Sequence, residues 1–335
     1  MTDTEALHIH FETRRGKPPV FRMTAPAIAA AAARNPQAAV RTSLGEDLVA
    51  LDWLDSAAGL VTSNDVLRDP RFPLDRLAEA APRLRWVHVI GAGIEPLLPL
   101  DWLGAVTLTN NSGVHVEKTR ESVMMALLML NARVPAIAAN QRQARWDQLF
   151  TPAIAGKTVL IVGVGEMGGA AAGAAKTLGL AVIGVRRGGA PHPGVDRMVA
   201  TDALDTVLPS ADFIVIATPL TPATRNLIDR RRIGLMKRGA GLLNIGRAGC
   251  LDHVALVEAL DTGALSGAIV DVYDPEPLPG GSPLWRAPNL ILMPHVTSDD
   301  ADRYMPMTLD LVFANAARLA RGEPLRNAVD PTAGY

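Results

Sequence analysis

The sequence predicts an α/β protein built on two parallel sheets. Three observations carry this. The chain has 335 residues, more than one hydrophobic core usually serves, so two domains are expected. Short apolar runs bounded by turn residues alternate with helical patterns along most of its length, the order of parallel strands joined by crossover helices. Two long helical patterns, at about residues 117–132 and 300–321, divide the runs into two groups. Two lobes joined by two crossings follow. The second lobe is expected to be inserted into the first, with residues 1–112 and 299–335 in one and 113–298 in the other.

In the first group the strand-like runs are ALHIHF, AAVRTSL, AGLVTS, RWVHVIG and VTLTNN. Their β-branched and aromatic residues suit a pleated, half-buried surface. Between the first two lies AIAAAAARNP, where alanine favours a helix and Pro36 ends it. The second group reads TVLIVG, AVIGVR, DFIVIAT, GLLNIG, SGAIVDV and LILMPH. The C-terminal helix stops at RGEP, a glycine followed by proline.

Composition excludes several classes of function. The formal charge is −1, whereas nucleic-acid and membrane-surface partners want a basic excess. Cys250 is the only cysteine, so no internal disulfide and no cysteine cluster for a metal is possible. His8 and His10 alternate on one strand face, and two imidazoles without further ligands do not make a metal site. The start MTDTEALHIH lacks a basic segment followed by an apolar run, and a cytoplasmic location is expected. The longest apolar run covers residues 123–130, well short of the roughly 20 that a membrane span needs.

The strongest local signal is KTVLIVGVGEMGGAAAGAAKTLG. A strand ends at Val162, Gly163-Val-Gly165-Glu-Met-Gly168 follows, and an alanine-rich helix runs on to Gly179. This is G-x-G-x-x-G between strand and helix, where it signals a dinucleotide. Gly163 allows the tight turn, Gly165 lets the backbone approach a pyrophosphate, and Gly168 lets helix and strand pack closely. The free N–H groups of the helix start complement the phosphates. Such a lobe is Rossmann-like. Its second strand should end beside the adenosine ribose, where an acid usually accepts from the 2′-hydroxyl. Here VIGVRRGG puts Arg186 there, followed by Arg187. Arginine offers a planar fork to phosphate and no acceptor to a hydroxyl. A charge-assisted hydrogen bond contributes roughly 1.5–3 kcal/mol, about tenfold or more in affinity. NADP(H) is therefore expected over NAD(H).

Three further strand ends carry chemistry. GLLNIGRAG sets Arg247 just beyond one, SGAIVDVYDPEPLP sets Glu276 beyond the next, and LILMPHVTSDD sets His295 at a third. In an open parallel sheet, ligands bind at the carboxyl ends of the strands. A guanidinium can hold a carboxylate and polarise a neighbouring carbonyl. An imidazole can move a proton near neutral pH, and a carboxylate beside it orients the ring and favours its charged form. With a nicotinamide, the set describes hydride transfer to a 2-keto acid. Each residue alone has a bland alternative: an ion-pair arginine, a solvated loop acid, a histidine at a strand end.

These residues resemble the D-isomer-specific 2-hydroxyacid dehydrogenases, which include glyoxylate and hydroxypyruvate reductases. The resemblance covers nearly the whole chain, from WVHVIGAGIE through LTNNSGVH, GKTVLIVGVGEMG, ATPLTPATRNLID and LMKRGAGLLNIGRAG to SGAIVDVYDPEPLP and SPLWRAPNLILMPHVTS. It implies a flavodoxin-like substrate-binding lobe and a Rossmann-like nucleotide-binding lobe. It also implies that Arg247 binds substrate and polarises its carbonyl, that His295 is the general acid, and that Glu276 is its partner. The turn at Ala92-Gly93 matches the loop whose N–H groups hold the substrate carboxylate. Thr218, Pro219 and Asp271 match cofactor contacts, with Asp271 facing the nicotinamide carboxamide. The same resemblance adds Glu166, Met167, Thr224, Ile245 and Gly246.

Arg186 in place of the ribose acid is similar to the NADP-preferring reductases. Ala248 stands where glycine usually follows the arginine. Glu276 departs from formate dehydrogenases, which carry glutamine there, whereas phosphite dehydrogenases keep a similar trio. A dinucleotide-sensing corepressor of the same fold would be favoured by loss of a catalytic residue, and the trio is intact. The polar arm ANQRQARWDQLF matches the region that joins two subunits in the family, which implies a homodimer. His115, Trp53, Tyr304 and Met305 could line a cleft or fill a core, and sequence does not separate the two.

Overall fold

The computed structural model describes residues 6–331. The chain divides into two compact units, Met1–His115 with Asp300–Tyr335, and Val116–Asp299. Each holds one sheet in which every strand pairs in parallel.

The first unit contains β1 (Leu7–Thr13), β2 (Val40–Glu46), β3 (Gly59–Thr62), β4 (Trp86–Val89) and β5 (Thr107–Thr109). Their order is β2-β1-β3-β4-β5, the doubly wound flavodoxin-like arrangement. Side-chain alternation sorts the core. Ile9 and Phe11 of β1 face α1 (Ala25–Arg34), and Leu60, Val87 and Val89 point into the opposite cluster. Short α2 (Asn64–Leu67) and α3 (Leu77–Ala80) add Val66, Leu67 and Leu77 to that second cluster.

On the same face of β1 as that second cluster stand His8, His10 and Glu12. All three are buried and bonded. The Ser43 hydroxyl lies 2.6 Å from His8 Nε2 and 2.8 Å from His10 Nδ1, and His10 Nε2 lies 3.1 Å from a Glu12 oxygen. His10 stacks on Trp53 at 4.2 Å, which accounts for Trp53 as core. Among the described residues no group of three or more His, Cys, Asp or Glu side chains is placed to hold a metal.

The second unit opens with α4 (Val116–Asn131) and α5 (Val134–Arg142), bent by 65° across the left-handed Arg133. Its strands are β6 (Thr158–Val162), β7 (Ala181–Val185), β8 (Arg197–Val199), β9 (Phe213–Ile216), β10 (Ala240–Asn244), β11 (Leu265–Val270) and β12 (Leu290–Leu292). They lie in the order β12-β11-β10-β9-β6-β7-β8, the Rossmann pattern with its reversal between β6 and β9. Val159, Ile161, Phe213 and Val215 face the cluster formed with α4 and α6 (Glu166–Thr177). Leu160, Val162, Ile214 and Ile216 alternate to the other side, under α7 (Leu204–Val207), α8 (Arg230–Leu235) and α9 (His253–Asp261). Two-sided burial explains why these strands read as continuous apolar runs.

The last helix, α10 (Tyr304–Ala320), belongs to the first unit, where it packs on α1 and β1. It starts four residues later than its sequence pattern. Asp300 Oδ1 accepts the N–H groups of Asp302 and Arg303, so a turn precedes the helix. Tyr304 and Met305 are buried in this core, and the His115 ring lies 5.3 Å from that of Tyr304. Among the described residues no single helix is long and apolar enough to cross a membrane.

Candidate active site

The glycine turn is built as its spacing requires. Gly163 ends β6 at φ +97°, and a Cβ there would lie 2.8 Å from the Ala217 carbonyl oxygen. Gly168 has no room at all: its Cβ would lie 1.9 Å from Gly163 O. Gly165, which caps α6, is the opposite case, for a Cβ there meets nothing within 4 Å. Helix and strand thus need the outer two glycines for packing, while the middle one borders open space. No side chain caps α6, so the first N–H groups, those of Glu166 and Met167 among them, face that space unbonded by a cap. The residues fit a pyrophosphate.

At the end of β7 stands the half-buried Arg186. The exposed Arg187 follows, then Gly188 and Gly189 at positive φ, which turn the chain back toward β8. Beyond β9, Thr218 is buried with its hydroxyl lacking a partner. Thr224 Oγ1 donates to Pro219 O at 2.6 Å and accepts from Thr221 N–H at 2.8 Å, so this hydroxyl closes the loop that carries Pro219. Gly246 packs on the same backbone, since a Cβ would lie 2.7 Å from Thr218 O. Ile245 is buried in the core.

Arg247 follows β10 in extended conformation and is half-buried. The buried Asn244 shapes its turn by accepting Gly246 N–H at 3.0 Å and donating to Arg247 O. Beyond β11, Glu276 is fixed at both oxygens. Oε1 accepts Tyr273 N–H at 2.8 Å and Oε2 lies 2.8 Å from His295 Nδ1. Tyr273 Oη sits 2.6 Å from Val270 O and 2.9 Å from Met293 O, bridging the ends of β11 and β12. Burial pushes its ionisation up, so it stays a neutral donor.

His295, past β12, holds φ +55°, with its N–H bonded to Met293 O at 3.0 Å. The next two residues are braced by Asp271. Its oxygens accept Val296 N–H at 2.9 Å, Thr297 N–H at 3.3 Å and the Thr297 hydroxyl at 2.5 Å. Asp271 is 2% exposed, and burial raises its pKa against the pull of these bonds and of His295. This bracing is a role that sequence reasoning missed, because nothing local connects residue 271 to residues 296 and 297.

Along the carboxyl edge of one sheet, neighbouring strands therefore present Arg186, the glycine turn, Thr218-Pro219, Arg247, then Asp271 with Glu276, and finally His295. The contact that brings two catalytic candidates together is Glu276–His295. In the first unit, Ala92 and Gly93 follow β4 as a half-buried loop.

The profile of the D-isomer specific 2-hydroxyacid dehydrogenase family, NAD binding domain, matches residues 124–297. The chain belongs to the D-isomer specific 2-hydroxyacid dehydrogenase family. It is 34% identical over 260 residues to the glyoxylate/hydroxypyruvate reductase B of Pectobacterium carotovorum, covering 75% of this chain and 80% of that one. A 2-hydroxyacid dehydrogenase of the family from Xanthobacter autotrophicus, solved with NADPH and MES, superposes with a TM-score of 0.83 at 26% identity, covering 99% of this chain and all of the other. An NADPH-dependent glyoxylate/hydroxypyruvate reductase from Sinorhizobium meliloti, solved with NADP and sulfate, gives 0.80 at 27% identity over 98% of this chain and all of that one. The chain is thus an oxidoreductase of the 2-hydroxyacid dehydrogenases, with a nicotinamide cofactor.

Proposed function

We propose that this 2-hydroxyacid dehydrogenase reduces a small 2-keto acid, glyoxylate or hydroxypyruvate, with NADPH, and that His295 is the general acid. The observation that carries the proposal is the 2.8 Å bond between His295 Nδ1 and Glu276 Oε2. It occupies Nδ1 and leaves Nε2 as the nitrogen that delivers a proton. The Arg247 guanidinium binds the substrate carboxylate and polarises the keto oxygen, and the Ala92 and Gly93 N–H groups receive the carboxylate. His295 protonates that oxygen as negative charge develops, while Glu276 holds the ring in place. When bound, the reduced nicotinamide supplies the hydride.

Gly163, Gly165, Glu166, Met167 and Gly168 hold the pyrophosphate, and Arg186 with Arg187 holds the 2′-phosphate. Thr218, Pro219, Thr224, Ile245, Gly246 and Asp271 serve the nicotinamide half. Asp271 Oδ1 accepts one bond and has capacity for a second, from a carboxamide. The half-buried Arg186 at the end of β7 and the NADPH and NADP bound by the two solved relatives favour NADPH here. The exposed Trp146 and Phe150 favour a homodimer through that segment.

The test follows oxidation of NADPH and of NADH with a panel of 2-keto acids. Turnover with a lower KM for NADPH is expected. A preference for NADH removes the Arg186 assignment, and NADPH bound but never consumed favours a sensing protein instead. His295→Gln should lower kcat by about 10²–10⁴-fold while sparing NADPH affinity.

A further inference from the structure

Four successive carbonyl groups after β4 are all engaged by donors from other parts of the first unit. The Tyr304 hydroxyl donates to Ile90 O. Asn111 N–H donates to Gly91 O at 3.1 Å. The Asn110 side-chain amide donates to Ala92 O at 2.9 Å, and that of Asn64 to Gly93 O at 2.8 Å. No described residue accepts from the N–H of Ala92 or of Gly93. Loop carbonyls usually turn to water. Here every one is bonded within the fold, which fixes the loop and leaves its N–H groups free of competing negative dipoles. Backbone N–H groups without an acceptor attract an anion.

Asn110 is the most constrained of these donors. It is buried, and its Oδ1 accepts Ser112 N–H at 3.1 Å while Nδ2 serves Ala92. Its backbone is held as well: its N–H donates to Asn327 O at 3.2 Å, and the Asn327 side-chain amide donates to its carbonyl at 3.2 Å. An amide bonded at both ends cannot turn without breaking both bonds.

We propose that Asn110, aided by Asn64, is a positioning residue for substrate binding: it clamps the carbonyl edge of the Ala92-Gly93 loop so that the N–H edge meets a carboxylate. The clamp rests on the proposed role of this loop in receiving the keto acid. Asn110→Asp keeps the shape and the acceptor for Ser112 but sets an oxygen against Ala92 O. The KM for glyoxylate should rise about tenfold or more, with kcat nearly unchanged and NADPH affinity, read by fluorescence, retained. Lowering the pH protonates the introduced carboxyl, which can then donate to Ala92 O. The ratio of the variant's KM to the parent's should therefore fall with pH, a recovery that a merely structural asparagine would not give.

Asn64→Leu should raise KM in the same direction. If Asn110→Asp does not fold, Asn110→Ser carries the same expectation for KM. Unchanged KM in the folded asparagine variants overturns the clamp. Gly93→Pro, checked for its thermal midpoint, separates the two ideas. A raised KM there beside normal asparagine variants means that the loop binds carboxylate without the clamp. A normal KM there removes the role of the loop and the clamp together.

Discussion

His295 adopts a left-handed backbone conformation that a side chain with a Cβ rarely takes. Such a conformation costs of order 1–3 kcal/mol and persists where its surroundings hold it. Here the His295 N–H is bonded to Met293 O, its ring to Glu276, and the next two residues to Asp271. The placement of Arg247, Glu276 and His295 beyond strand ends was legible in the sequence, because each lies a few residues past an apolar run. The bracing of His295 was not, since it depends on a contact 25 residues away in the chain. His88 shows the same limit. In RWVHVIG it reads as one polar residue in a strand, yet it is fully buried, with Nδ1 2.9 Å from the Thr109 hydroxyl. Burial lowers its pKa from 6.5 to about 3. Below pH 6.5 the unfolded chain takes up a proton that the folded chain refuses. The stability contributed is complete above that pH and is lost as pH falls toward 3, by about 1.4 kcal/mol per pH unit. Urea unfolding of the parent and of His88→Gln, at neutral and mildly acid pH, checks this. The variant should be the less stable at neutral pH and the less sensitive to acid, and equal acid sensitivity would remove His88 as the titrating group.

The elements divide by how much of their code is local. β6, the glycine turn and α6 are readable because every requirement falls within about twenty consecutive residues. β8 was missed: it has three residues, none fully buried, at the edge of its sheet, too few to show a period. The one-turn helices α2, α3 and α7 were missed for the same reason. The polar segment at 139–150 reads as an arm, yet its first four residues are the last turn of α5, which has Pro135 at its second position and packs on α4 and β11. The glycine turn itself makes a paired prediction. Gly168→Ala forces a Cβ onto Gly163 O, a backbone atom that cannot swing away, and should destabilise the chain by about 1–3 kcal/mol or more. Gly165→Ala meets no chain atom, so its thermal midpoint should match the parent's. Its methyl group would occupy the space where a pyrophosphate approaches, and NADPH affinity should fall about tenfold or more, the equivalent of one lost charge-assisted bond. Equal loss of stability in both variants would mean that the middle glycine is needed for packing as well.

For the molecule as a whole, the exposed large hydrophobic residues are unevenly spread. Of ten among the described residues, five fall between positions 125 and 150: Met125, Leu128, Ile137, Trp146 and Phe150. Trp146 is 92% exposed and Phe150 87%, values that no folding argument within one chain accounts for. Scattered apolar residues need no explanation, but a concentration with aromatic anchors marks a surface that another molecule covers. A second copy is the simplest occupant, because a two-fold contact lets one segment meet its own equivalent. Light scattering should then give twice the chain mass for the parent. The pair Trp146→Ser and Phe150→Ser should give the single chain mass, since each aromatic removes one of the largest apolar surfaces available to the contact. NADPH affinity should survive, because the glycine turn and Arg186 lie outside this segment. The thermal midpoint of the parent should rise with protein concentration, as association stabilises the folded state by mass action, and that of the double variant should not. A parent that scatters as a single chain at every concentration would leave Trp146 and Phe150 without a partner of their own kind.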